Sequence, residues 1–90
     1  MAITLSKVYP EGNGRTRYSG TYTHTLGAAP ETFTVGNGRV RKVEVVNFDS
    51  GAKHEITRFT ESVSGGTNTV TVLRDGDVAD GRIDIVVDRA

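Results

Sequence analysis

Two histidines, a cluster of aspartates and two arginine pairs are the residues of this chain whose types could do chemistry. His24 and His54 would need a third protein ligand, a carboxylate such as Glu55, to make a catalytic zinc site. Neighbours on a strand face opposite ways, so His54 and Glu55 do not converge. Two histidines on a sheet surface is the plainer reading. Asp75, Asp77 and Asp80 share one loop with Gly76 and Gly81, and calcium takes several oxygen ligands from such a loop. The EF-hand spacing fails there, because Ala79 stands where the third ligand belongs and Val86 where the closing glutamate belongs. The loop therefore reads as a solvated turn, with a weak cation site as the alternative.

Ser19, Ser50, Ser62 and Ser64 offer hydroxyls, but none lies in a nucleophile elbow or beside a recognisable base. Gly12-Asn13-Gly14 and Gly36-Asn37-Gly38 are not phosphate loops, since no helix follows either of them. Arg15 with Arg17, and Arg39 with Arg41, form two basic pairs able to grip a partner's carboxylates bidentately. Solvated or internally paired arginines are the plainer reading. Tyr9, Tyr18 and Tyr22 crowd the first quarter of the chain. An apolar ring with a polar tip suits an interface, and it suits core packing as well. Phe33, Phe48 and Phe59 are assigned to the core. No catalytic residue, metal ligand or cofactor site is expected.

The elements that must position these side chains read as strands. In Arg82-Ile83-Asp84-Ile85-Val86-Val87-Asp88, Ile83, Ile85 and Val87 share one face while Arg82, Asp84 and Asp88 share the other, the period of a strand. Ile3 to Val8 alternates too, as a first strand or as an extended arm set off by the Pro10 to Gly14 turn. Arg15 to Leu26 is a strand with Gly20 marking a bulge or kink. Thr32 to Val35 is short and ends in a hairpin-type turn at Gly36-Asn37-Gly38. Val40 to Phe48 is the longest apolar segment and is expected to be the central strand. Lys53 to Thr60 reads as one strand, Ser62 to Asn68 as a loop, and Thr69 to Arg74 as a strand. A single helical turn at Asp77 to Asp80 is the alternative to a plain turn there. Six or seven strands with regular turns predict one small all-β domain, an antiparallel sandwich or barrel over residues 1–90. The echo of Gly12–Arg17 in Gly36–Arg41 reads as two similar hairpin turns.

Composition agrees. Val and Thr each occur twelve times and Leu three times, a ratio that suits pleated sheets. There is no Cys, hence no disulfide and no thiolate metal site. With few large apolar residues and no staple, self-association is an expected source of stability. Eleven basic and eleven acidic residues cancel, which argues against general nucleic-acid or anionic-membrane binding. No stretch approaches the roughly 18 apolar residues of a membrane span. The opening Met-Ala-Ile-Thr-Leu-Ser-Lys lacks the pattern of a secretory signal, so synthesis in the cytoplasm is expected.

The opening Met1 to Arg15 and the segment Gly38 to Asn47 resemble small virion structural proteins of tailed bacteriophages, the head decoration or cement type. The resemblance is one of style across most of the chain. It implies a non-enzymatic protein on the capsid surface that binds the major capsid protein lattice as a homodimer or homotrimer. It also implies an extended arm, here Ala2 to Tyr9, that adds a strand to a neighbour. Ile3, Leu5, Tyr9, Arg15, Arg17, Tyr18, Tyr22, Arg39 and Arg41 are the expected interface residues. The alternatives are a carbohydrate- or receptor-binding module of a phage fibre, which would show an exposed aromatic platform, and a tail or head–tail connector component.

Overall fold

The computed structural model describes residues 2–23, 30–36, 38–74 and 80–89. All the regular structure among them is strand: β1 (Ala2–Gly12), β2 (Arg15–Thr23), β3 (Glu31–Gly36), β4 (Gly38–Asn47), β5 (Lys53–Glu55), β6 (Arg58–Ser64), β7 (Thr67–Arg74) and β8 (Gly81–Arg89). A five-stranded sheet in the order β1-β2-β8-β4-β5 faces a three-stranded sheet in the order β3-β7-β6, and every pairing is antiparallel. The two sheets do not close on each other, so the fold is a small sandwich and not a barrel.

The alternation in β8 places this strand at the centre of the larger sheet. Ile83, Ile85 and Val87 turn inward and are buried. Val43 and Val45 of β4 stand opposite Ile85 and Ile83, while Phe33, Val35, Val70 and Val72 supply the facing layer. Each such side chain contributes roughly 1.5–3 kcal/mol when fully buried. Glycine is required where strands crowd. Gly20 of β2 lies opposite Leu5, next to a bulge in β1 between Leu5 and Lys7, and a Cβ there would meet the Thr4 carbonyl. The irregularity expected at Gly20 thus falls on its partner strand.

Two polar clasps tie the sheets together. On one side the Gly36 N–H donates to the Tyr18 hydroxyl at 2.8 Å. On the other side Glu61 Oε1 accepts from the Val40 N–H at 2.7 Å and from Asn68 Nδ2 at 2.8 Å. Asn68 Nδ2 also donates to the Gly38 carbonyl at 2.9 Å. β5 pairs only with Val46 to Glu44, so the first half of β4 has no neighbour on that side. Glu61 and Asn68 satisfy its backbone groups in place of a strand.

Several expectations are corrected. The described residues form eight strands, because Lys53 to Thr60 is two: Ile56 donates its N–H to the Val43 carbonyl and the chain then passes from the larger sheet to the smaller. Ser62 to Asn68 is not a loop, since β6 and β7 run through it and only Gly65-Gly66 turns. β4 lies beside the central strand, not at the centre. Ala2 to Tyr9 is not a detached arm: β1 pairs with β2 along its length, and Ile3 and Leu5 pack inward on the core. Phe48 is 63% exposed, because β4 ends at Asn47, whose Oδ1 accepts from the Asp49 and Ser50 N–H groups and starts the turn. His24 and most of the Asp75–Asp80 loop, including the helical turn considered there, lie outside the described residues.

Candidate functional site

Charge gathers on the outer face of the five-stranded sheet, and the pairing register explains how. Arg15 and Arg17 alternate outward on β2, and Asp84 and Asp88 alternate outward on β8. Arg15 stands directly opposite Asp88 and Ser19 opposite Asp84, which brings cation and anion within reach across the ladder. Arg15 Nε lies 3.1 Å from Asp88 Oδ1, and Arg41 Nη1 lies 3.1 Å from Asp88 Oδ2. One carboxylate is therefore held between two guanidinium groups from flanking strands. The hydrogen bond from Arg41 holds the Asp88 carboxyl below the usual aspartate range, with that from Arg15 adding to it and desolvation opposing.

A second cluster lies alongside. Arg17 approaches Asp84 at 3.4 Å and Glu11 at 3.6 Å, and its guanidinium sits 4.5 Å from the centre of the Tyr9 ring. Arg82 completes it at 2.9 Å from Asp84, which is itself nearly buried. Such a cation over a ring is worth roughly 0.5–1 kcal/mol at an exposed site. Lys42 pairs with Glu44 at 2.9 Å, and this contact raises the lysine above its usual range. Glu55, opposite Glu44 on β5, pushes Lys42 in the same direction.

A bulge in β4 shapes a depression on this face that the arginines line. Val40 and Lys42 pair with successive residues of β8, so Arg41 is the extra residue. A bulge re-aims side chains, and here both Arg41 and Lys42 border an open cleft of about 350 Å³. Arg15, Glu11, the Gly12-Asn13 turn and Val86 complete its lining. Gly12, Asn13 and Gly14 all have positive φ, at 76°, 51° and 74°. Only glycine and asparagine accept that conformation readily, so the turn's sequence dictates this rim.

The nine expected interface residues divide accordingly. Arg15, Arg17 and Arg41 come together on the outer face, already paired internally. Arg39 is exposed on the same strand as Arg41 and makes no ion pair among the described residues. Tyr9 joins them beneath Arg17. Tyr18 is the inter-sheet clasp, and Ile3 and Leu5 belong to the core margin. Tyr22 is wholly buried, because its phase on β2 points it between the sheets, and it leaves the surface set. The three tyrosines thus occupy three separate environments and form no common platform. Residues not anticipated at the site are Asp88, Lys42, Glu11 and Val86. The outward phase of Asp88 was visible, but the adjacency of β2 with β8 joins segments far apart in sequence.

The opposite surface, the outer face of the three-stranded sheet, is chemically different. Two rows cross it in register, Thr32–Thr71–Thr60 and Thr34–Thr69–Ser62. The Thr32 and Thr71 hydroxyls lie 3.2 Å apart. His54 is exposed on β5, opposite Val45, while Glu55 stands opposite Glu44 on the other face. Among the described residues no three His, Cys, Asp or Glu side chains cluster as metal ligands would. No helix among the described residues is long and apolar enough to cross a membrane. Comparison of the chain with family models, with curated proteins and with solved structures finds no match.

Proposed function

We propose that the chain is a non-enzymatic structural protein of a tailed-phage particle, a head decoration protein that binds the major capsid protein lattice as a homodimer or homotrimer. The observation that carries the reading is the outer face of the five-stranded sheet. It is broad and left uncovered by the second sheet, and it carries an ordered array of charged side chains fixed by strand register. A protein that must meet the same lattice surface many times needs a rigid plate with complementary charge, because weak contacts repeated across a symmetric shell add up through multivalency. The resemblance of Met1–Arg15 and Gly38–Asn47 to decoration proteins points the same way. The apolar core between the sheets and the two clasps supply the rigidity.

The carbohydrate-module alternative expects an exposed aromatic platform, and Tyr9, Tyr18 and Tyr22 lie in three separate environments. Sedimentation of the purified chain with emptied heads of its source phage tests the proposal. Co-sedimentation that weakens as salt is raised is expected. A chain that stays at the top of the gradient at every salt concentration would overturn it.

A further inference from the structure

The Arg15–Arg41–Lys42 cleft is a built acceptor for an anion. Arg15 spends its Nε and Arg41 one terminal nitrogen on Asp88, while each guanidinium carries five N–H donors. Both therefore keep donors to spare, and they border a common depression with Lys42. The lining has three cations and one carboxylate, Glu11, which is drawn toward Arg17, while Asp88 pairs with both arginines and Glu44 with Lys42. Arg39 stands opposite Asp88 in the ladder and adds a further positive charge close by. Val86 adds an apolar side chain to the lining.

The geometry already accepts a carboxylate, because Asp88 is held between the two arginines. We propose that the cleft docks a carboxylate side chain from an acidic segment of a protein partner, with Asp88 as the resident competitor for both arginines. A planar carboxylate matches the guanidinium fork. The cleft is open enough for a peptide to lie across it. This inference rests on the lattice-binding reading for the partner's identity, since the acidic segment would belong to the capsid surface.

Titration of the isotope-labelled chain with a hexaglutamate peptide, followed by amide shifts, tests it directly. Saturable shifts confined to Gly12–Arg15, Arg41 and Lys42 are expected. Arg15→Gln or Arg41→Gln removes one charged fork from the cleft and should weaken binding several-fold. Asp88→Asn should tighten it several-fold by freeing the arginines. Equal shifts with hexaglutamine, or weaker binding in Asp88→Asn, would overturn the proposal. Inorganic phosphate binding more tightly than hexaglutamate would reassign the cleft to phosphate. A thermal melt of each variant, with its midpoint near that of the parent, shows that the fold is intact. Sedimentation with heads separates the two levels. Head binding that survives in the Arg15→Gln/Arg41→Gln double variant overturns the cleft's role and leaves the lattice reading standing. Hexaglutamate binding without head binding does the reverse.

Discussion

Removal of the Asn68 side chain tests how the two sheets are held together. Asn68 is fully buried, and its Nδ2 donates to the Gly38 carbonyl and to the Glu61 carboxylate. The first bond is worth about 1 kcal/mol, and the second, to a charged acceptor, about 1.5–3 kcal/mol. Its Oδ1 is buried with no partner among the described residues, so its removal returns about 1 kcal/mol. The net cost of Asn68→Ala is therefore about 2 kcal/mol. A domain of this length is stable by about 5–13 kcal/mol, and 1 kcal/mol moves Tm by about 4–8 °C at this size. A fall of about 8–16 °C is expected, with a matching shift in the urea midpoint. Glu61→Ala should cost a similar amount and expose the Val40 amide to exchange. In a double-mutant cycle the pair should couple by about 1 kcal/mol or more. A loss under about 0.5 kcal/mol for Asn68→Ala, or strict additivity in the cycle, would refute the view that this clasp stands in for the missing neighbour of β4.

Other outcomes follow from single sites. Gly20→Ala places a Cβ against the Thr4 carbonyl, so β1 should detach from β2; loss of amide protection over Ala2–Leu5 is the measurement, and an unchanged pattern would contradict the packing. Tyr22→Phe removes a buried hydroxyl that has no partner among the described residues, so Tm should hold or rise; a clear fall would mean that this hydroxyl is bonded. Asp88 has a depressed carboxyl, so its contribution is present above the usual aspartate range and is lost as pH falls through its lowered value. Asp88→Asn should flatten that part of the acid-stability curve, read by thermal melts across acidic pH, and an unaltered curve would remove Asp88 as the cause.

The last strand was legible because Ile83, Ile85 and Val87 alternate cleanly with charged residues, and period two has only one structural meaning there. The hairpin turn at Gly12-Asn13-Gly14 was legible from turn chemistry, whereas Gly65-Gly66 misled, because two adjacent glycines read as part of a longer Ser62 to Asn68 loop although β6 and β7 run up to them. Lys53 to Thr60 misled because its alternation continues unbroken while the chain changes sheets at Ile56, and periodicity carries no record of which sheet a strand joins. Phe48 misled because its ring suggested the core, whereas the Asn47 side chain ends the strand one residue earlier. Tyr22 and Tyr9 look alike in sequence, and only their phase on paired strands sends one inward and the other beneath Arg17. The candidate site was half visible. The arginines stood out, but Asp88 joins them only through the β2–β8 and β4–β8 pairings, which connect distant segments.

Solution mass across a dilution series tests the proposed self-association before any particle is added, with a dimer or trimer expected and a clean monomer contradicting it. The most direct test of the proposed decoration role is a titration of emptied tailed-phage heads with the labelled chain, counting copies bound per head. Lattice decoration predicts a sharp plateau at a fixed multiple of the capsomer number. Binding that rises without a plateau, or none at all, would contradict it.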